Sequence, residues 1–374
     1  MSSTPVCYLG SGRDLSGYGS ANRAFIAALY IAGVDITTET VVQLRDQTQL
    51  GWQGELWKSL EGRKIPYKVK IIHLTPDIYP NYMEKGAYHI GHLFWETDKL
   101  PKEWVEPCNK MGEIWTSSSN MAELFKKSGV KVPIYWFPQP ISIHDADRDL
   151  GRFQIPNHKG FLFYSIFQWI ERKNPKALLT AYWEAFQGRD DVSLLLKTYR
   201  VTFDNEEFNK IRDDIQQWKR ERLFKHYPKV FLCKSLLTHE QILKLHQTGD
   251  CYVSSDHGEG WNRCVQEALL MGKPVVSTAR GGIHEWITND IYYPVNSTYV
   301  PVKEQSWIPW YTKEQNWAEV DKEELKSRML EVYRNQVGAM AKGVLAKDYI
   351  KDQFSFHRIG EMMKQRLTEI YKAL

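Results

Sequence analysis

At 374 residues, 43% apolar and 25% charged, the chain has an ordinary globular composition and length enough for two hydrophobic cores. A formal net charge of +4 is too small to mark a nucleic-acid binder by itself. The five cysteines (Cys7, Cys108, Cys233, Cys251, Cys264) are odd in number, scattered and free of any CxxC pair, which argues against zinc and a disulfide framework and fits a reducing compartment.

The N-terminus leads directly into PVCYLG with no charged-then-apolar leader, and the longest apolar stretch, 24–34, is too short to span a bilayer. A cytoplasmic protein is the expectation. Lys58, Arg63, Lys64, Lys68 and Lys70 offer a basic surface for peripheral contact at the inner face of a membrane. Residues 1–150 carry 16 Lys and Arg against 17 Asp and Glu, and the remainder carries 33 against 28, so the positive excess lies in the second half. The 14 Trp and 20 Tyr suit carbohydrate faces but equally fill cores.

In chain order, 6–9 reads as a strand and 10–19 as a glycine loop, with Ser20 as N-cap of a helix through Phe25, Ile26 and Leu29. A dinucleotide fingerprint would need Gly or Ala where Leu15 stands, so a nicotinamide site is excluded. The loop still lets a ligand approach the backbone, with Gly17 and Gly19 as candidates. Further buried strands are expected over 69–74, 88–94 and 113–116, with helices over 102–110 and 120–127. Such alternation predicts a parallel, doubly wound sheet, whose ligands bind beyond the carboxyl ends of the strands. Two of those ends are chemically loaded: His73-Leu-Thr-Pro-Asp77 and His92-Leu-Phe-Trp95-Glu96-Thr-Asp98.

Residues 138–159, rich in Pro, Asp and His, read as an interdomain linker. Asp145, Asp147 and Asp149 make two overlapping DxD matches there, but no strand closely precedes them and a solvated charge run is the expectation. A strand over 160–167 opens the second half. Asn174 as N-cap and Pro175 at the first helical position then start a helix, with Arg172 and Lys173 beside an end already suited to anions. The next strand, 192–197, ends at Lys197, a cation expected to face the cleft. An exposed helix over 206–223, a strand over 230–233 and a helix over 240–246 lead to Asp250.

The stretch 250–286 is a βαβ unit: strand 251–254, a glycine turn, a helix over 262–271 and a strand over 274–277. Its turn presents backbone N–H groups at a helix N-terminus, a natural phosphate site. Glu259 lies in that turn, facing whatever is attached to the phosphate. Glu267 lies more than one helical turn inside, suited to a vicinal diol such as a ribose. From Trp317 onward the pattern is helical.

The Glu259-x7-Glu267 spacing, with Gly258, Gly260, the tail EALLMGKPVVST and Gly281-Gly282-x-x-Glu285, resembles the donor-site signature of the retaining glycosyltransferases of family 4. The run IGHLFWETDKLPKEWVEPCNKMGEIWTSS resembles their acceptor-side segment. The resemblance implies a GT-B fold: two Rossmann-like, doubly wound parallel-sheet α/β domains facing a cleft. It implies an acceptor-side domain over 1–140, a linker over 141–159, a nucleotide-sugar domain over 160–350 and a C-terminal helix over 351–374 packing back on the first domain. The donor is then a nucleoside-diphosphate sugar, UDP- or GDP-linked, with no metal or other cofactor required.

Carried onto this sequence, the resemblance gives Glu259, Arg172, Lys173, His92 and Glu96 catalytic roles. Gly17, Gly19, Lys197, Gly258, Gly260, Trp261, Asn262, Arg263 and Glu267 would bind the donor, and Asp77, Trp95 and Asp98 would face the acceptor. Many members carry Arg where Gln168 stands, a role that falls here to Arg172. The expected acceptor is a glycan or glycoconjugate hydroxyl. A hydroxymethylated pyrimidine in DNA, as in phage-type base glucosylation, and a non-catalytic nucleotide-sugar binder are the alternatives.

Overall fold

The computed structural model describes residues 4–41, 50–144, 146–303 and 308–374. Its first half alternates β1 (Val6–Gly10), α1 (Gly17–Ile31), β2 (Ile36–Thr40), α2 (Gly51–Leu60), β3 (Val69–His73), β4 (Tyr88–His92), α3 (Lys102–Asn109), β5 (Glu113–Thr116), α4 (Ser119–Lys127) and β6 (Ile134–Trp136). The strands pair in parallel in the order β2-β1-β3-β4-β5-β6. Every residue of β1, β3 and β5 is buried, as a sheet covered by helices on both faces requires.

The second half repeats the plan. It runs β7 (Phe161–Gln168), α5 (Pro175–Phe186), β8 (Val192–Tyr199), α6 (Asn205–Arg220), β9 (Lys229–Cys233), α7 (His239–Thr248), β10 (Cys251–Ser254), α8 (Arg263–Leu270), β11 (Val275–Thr278) and β12 (Tyr293–Val295). The order is β12-β11-β10-β7-β8-β9, again parallel. Chain direction across the sheet reverses between β1 and β3 in one half and between β7 and β10 in the other. These switch points fix where a crevice opens at the strand carboxyl ends.

Two features depart from the sequence reading. Helix α1 begins one turn earlier than a Ser20 cap predicts, because Ser16 is the cap and its Oγ accepts from Gly19 N at 2.9 Å. After β12 comes an antiparallel hairpin, β13 (Ser297–Pro301) and β14 (Asn316–Val320), where helix was expected from Trp317. Helices α9 (Lys322–Arg334), α10 (Gln336–Gln353) and α11 (Phe356–Ala373) complete the chain.

Helix α11 lies along α1 of the first half. Gly360 permits this, since a Cβ there would stand 2.1 Å from the Ala28 carbonyl oxygen. Arg366 closes the contact by donating to the fully buried Glu113 at 2.6 Å. The basic surface expected around α2 and β3 is largely neutralised. Lys70 is buried and pairs with Glu39 at 2.8 Å and with Glu84, Lys58 pairs with Glu55, and Arg63 pairs with Asp35. In the linker, Asp145 lies outside the described residues. Asp147 reaches Lys347 and Lys351 of α10, each at 2.7 Å. Among the described residues no helix is long and apolar enough to cross a membrane.

The carboxyl ends of β3 and β4 carry His73 and His92, both fully buried and stacked at 4.0 Å with an interplanar angle of 20°. Burial holds both below the ordinary imidazole range, His92 at about 3, and the neighbouring His92 adds to the effect on His73. Each is neutral when folded and takes up a proton near pH 6.5 when unfolded, so acid favours the unfolded chain. Stability is therefore complete above about pH 6.5 and declines below it, by up to about 1.4 kcal/mol per pH unit for each histidine. Thermal melts between pH 7 and pH 5 should show a steeper loss in the parent than in His92→Phe. Parallel losses in the two would remove the histidine pair as the cause.

Candidate active site

The two strands at the switch point of the second sheet, β7 and β10, lead into the same local device. Past β7, a 3-10 turn (Glu171–Lys173) ends at Asn174, which adopts the left-handed conformation (φ 48°, ψ 52°) and caps α5 by accepting from Ala177 N at 3.3 Å. Past β10, Asn262 does the same (φ 67°, ψ 67°) for α8, accepting from Val265 N at 3.3 Å. Asparagine tolerates this conformation better than other side chains with a Cβ. Two helix N-termini, each a source of partial positive charge, thus open beside one turn, 256–262.

The turn is held to Arg172 and Lys173 by charge. Arg172 Nη1 donates to Glu259 Oε1 at 2.9 Å and to the Gly258 carbonyl at 2.7 Å. Lys173 Nζ donates to the same Glu259 oxygen and lies 3.4 Å from Asp256 Oδ1. Asp256 is fixed in turn by Asn262 Nδ2 at 3.0 Å. Burial depresses the Lys173 ammonium. Burial also opposes the charge on Arg172, but Tyr311, Glu96 and Asp256 outweigh it and raise the group above its ordinary value. The Arg172 Nε is buried without a hydrogen-bond partner among the described residues.

The first domain closes directly on this turn. A Cβ on Gly258 would stand 2.1 Å from the Glu96 carbonyl oxygen, and one on Gly260 would stand 2.7 Å from Phe94 Cβ. Ser117 Oγ donates to the Gly260 carbonyl at 2.9 Å. Glu285 reaches across to the N-terminus of α4, accepting from Ser118 Oγ at 2.8 Å and Asn120 N at 3.1 Å. Glu96 comes within 3.8 Å of Arg172 Nη2 and accepts from Tyr311 Oη at 3.0 Å.

Glu267 lies on α8, 3.3 Å from Arg263 Nε and 3.6 Å from His246 Nε2. Burial raises this carboxyl, but His246 and Arg263 overcome it and bring it down to about 2, so it is ionised at neutral pH. Lys197, 6% exposed at the end of β8, stands over the rings of Tyr199 (5.6 Å) and Phe203 (5.0 Å). No carboxylate among the described residues pairs with it, and burial lowers its affinity for the proton. An open groove of about 870 Å³ runs along the domain junction, lined by Ile31 and Trp52, by His144 of the linker, and by Thr238, Glu240 and Leu243.

No family model matches the chain and no curated protein matches it. Solved structures do. One is the Anabaena protein HepE in complex with UDP and glucose: 12% identity, 98% of this chain, 99% of that chain, TM-score 0.68. Another is sucrose-phosphate synthase from Thermosynechococcus elongatus: 14% identity, 99% and 100% covered, TM-score 0.66. A third is a mutant of S. aureus TarM in complex with Fondaparinux, alpha-GlcNAc-glycerol and UDP: 15% identity, 80% of this chain, TM-score 0.59. The chain spans only 55% of TarM's length. With two six-stranded parallel sheets and these likenesses, the fold is decided. It is GT-B.

The GT-B arrangement brings Glu259, Arg172, Lys173, Glu96 and Gly258 together and sets several expected ligand residues apart. His92 stands inside the aromatic core of the first domain, 4.5 Å from Phe25, rather than beside the carboxylates and cations. Trp95 is buried, donates its indole N–H to Thr97 Oγ1 (2.6 Å) and the Lys99 carbonyl (2.7 Å), and stacks on Tyr311. Both oxygens of Asp98 are taken by Asn316, at 2.6 and 2.8 Å. Asp77 is exposed in a 3-10 turn (Pro76–Tyr82).

On the donor side, Trp261 fills a core against Phe354, and Asn262 is consumed as a cap. Gly17 is an exposed first residue of α1, while Gly19 is small to fit its own loop, where a Cβ would stand 2.4 Å from the Asp14 carbonyl oxygen. Gly258 and Gly260 are small to admit the first domain, a reason the sequence did not suggest. Tyr311, Asp256 and His246 join the site without having been expected. The aromatic run WIPWYT around Tyr311 was the only local trace.

These contacts make Gly258 a sensitive position. Gly258→Ala places a methyl against the Glu96 carbonyl and should cost about 1–3 kcal/mol by overpacking. Gly17→Ala, with nothing within 4 Å of the new atom, should stay within about 1 kcal/mol of the parent. Denaturant midpoints decide it, and equal midpoints for the two variants would contradict the close approach.

Proposed function

We propose that the chain transfers a sugar from a nucleoside-diphosphate donor, UDP-linked in the first instance, to a hydroxyl of a glycan or glycoconjugate, with retention at the anomeric carbon. The observation that carries this reading is the pair Arg172 and Lys173, half-buried before the N-terminus of α5 and facing the turn at the N-terminus of α8. Two adjacent cations and two helix ends make a site for an anion of high charge. The unsatisfied Arg172 Nε gives such an anion a further donor.

In this reading the diphosphate lies against Arg172, Lys173 and the amides of 260–263, and Glu259 turns to hydroxyls of the donor sugar. Glu267, already ionised, accepts from the ribose diol, and Lys197 supplies a further positive charge at the cleft wall. As the bond from the anomeric carbon to the phosphate oxygen breaks, the acceptor oxygen bonds to that carbon on the same face. Its proton passes to the departing phosphate oxygen. The charge that grows on the leaving diphosphate meets fixed cations and dipoles, which is where the rate enhancement comes from. The chain's own residues bind, orient and neutralise, and none serves as a nucleophile.

A donor panel scored for nucleoside-diphosphate release, with and without glycan, lipid and hydroxymethylated-DNA acceptors, tests the proposal. Glycan-dependent release is the expected result. Release that needs DNA would reassign the acceptor, and tight binding without turnover on any acceptor would mark a sensor. Replacing Arg172 and Lys173 together by Ala should weaken UDP binding by about 2–4 kcal/mol in calorimetry, the scale of charge-assisted hydrogen bonds. Glu267→Ala should lose nucleotide affinity, whereas Glu259→Ala should retain UDP and lose turnover. Unchanged UDP affinity in Glu267→Ala would end the ribose assignment.

A further inference from the structure

The segment between β12 and α9 belongs to neither six-stranded sheet. Its hairpin, β13 and β14, leaves the second domain, and Val302 and Tyr311 between the strands are buried against the first. Val302 and Tyr311 share a core with residues of β1, β3 and β4. Tyr311 stacks on Trp95 at 5.1 Å and 26°, and Asn316 is held by Asp98. At the base of the arm, His257 of the Glu259 turn stacks on Trp317 at 4.5 Å and 6°, and its carbonyl accepts from Ala318 N at 2.7 Å. One arm therefore touches both walls of the cleft.

The tip of that contact is a chain of three polar groups. Tyr311 Oη donates to Glu96 Oε2 at 3.0 Å, while Glu96 Oε1 stays 3.8 Å from Arg172 Nη2, outside direct hydrogen-bond range. Among the described residues, Glu96 and Glu259 carry the carboxylate oxygens within 4 Å of this guanidinium, at 3.8 and 2.9 Å. We infer that Tyr311 is a positioning residue for Arg172: by engaging one oxygen of Glu96, it keeps that carboxylate from closing on the guanidinium and leaves Arg172 available to the donor's diphosphate. The inference rests on the donor reading above. Without the hydroxyl, Glu96 closes on Arg172 and the diphosphate must displace it. The stacking of the ring on Trp95 does not depend on the hydroxyl, so the arm keeps its place in Tyr311→Phe.

The test is calorimetric titration of the full chain with UDP, for the parent, Tyr311→Phe, Glu96→Gln and the double variant. Tyr311→Phe should weaken UDP about 10- to 100-fold, the scale of one hydrogen bond to a charged group, with the thermal midpoint near the parent's. Glu96→Gln in the Tyr311→Phe background should restore affinity to within about twofold, because the effect runs through the carboxylate. A purely structural tyrosine would show no such rescue. Parental affinity in Tyr311→Phe, or a loss that persists in the double variant, overturns the inference. A parent that binds neither UDP nor GDP overturns the donor reading itself, and is seen before any variant is compared.

Discussion

Two half-buried cations side by side call for an anion, and Glu259 supplies it. Arg172 and Lys173 follow one another in the chain, and each precedes a helix end that adds positive potential. A single oxygen of Glu259 contacts both, with Asp256 3.4 Å from Lys173 and Glu96 3.8 Å from Arg172. The left-handed asparagine caps, the tight turn at 256–262 and the closeness of the first domain all follow from the need to bring that carboxylate to that pair.

The relation of the domains is set by small residues and by the arm. Gly258 and Gly260 admit Glu96 and Phe94 to the turn, Glu285 caps α4 across the cleft, and Gly360 seats α11 on α1. These contacts hold the two sheets face to face at their switch points. The hairpin adds an aromatic strap, with Tyr311 and Trp317 buried on one side and His257 pinned on the other. The cleft is thus bounded by packing as well as by charge.

Burial sorts the remaining ionisable groups by what they can do. His73 and His92 are enclosed by rings and stay neutral, which makes them elements of a core. Lys197 is nearly as buried, yet it ends a strand at the switch-point side of the sheet and meets aromatic faces in place of a carboxylate. Glu267 is buried too, but Arg263 and His246 keep it charged. The difference between a neutral and a charged buried group lies in the neighbours that compensate desolvation.

The sequence by itself determined a doubly wound parallel-sheet architecture and the place of most elements, and its resemblance to family 4 pointed to the GT-B fold. Strands such as β10 are short apolar runs bounded by glycine turns, and starts such as Asn174-Pro175 carry their capping chemistry locally. Glu259, Arg172 and Lys173 were legible as a site because each adjoins a helix start that the chain itself announces. Only the tertiary structure decided which candidate side chains are engaged by other protein groups. Trp95, Asp98, Trp261 and His92 have chemistry suited to binding, but their partners (Tyr311, Asn316, Phe354 and His73) lie far away in sequence. The arm was illegible for the same reason: its strands pair with each other while its aromatic residues are buried against another domain. Local pattern reports what a segment can form, whereas the contacts that consume or free a side chain exist only after distant segments have packed.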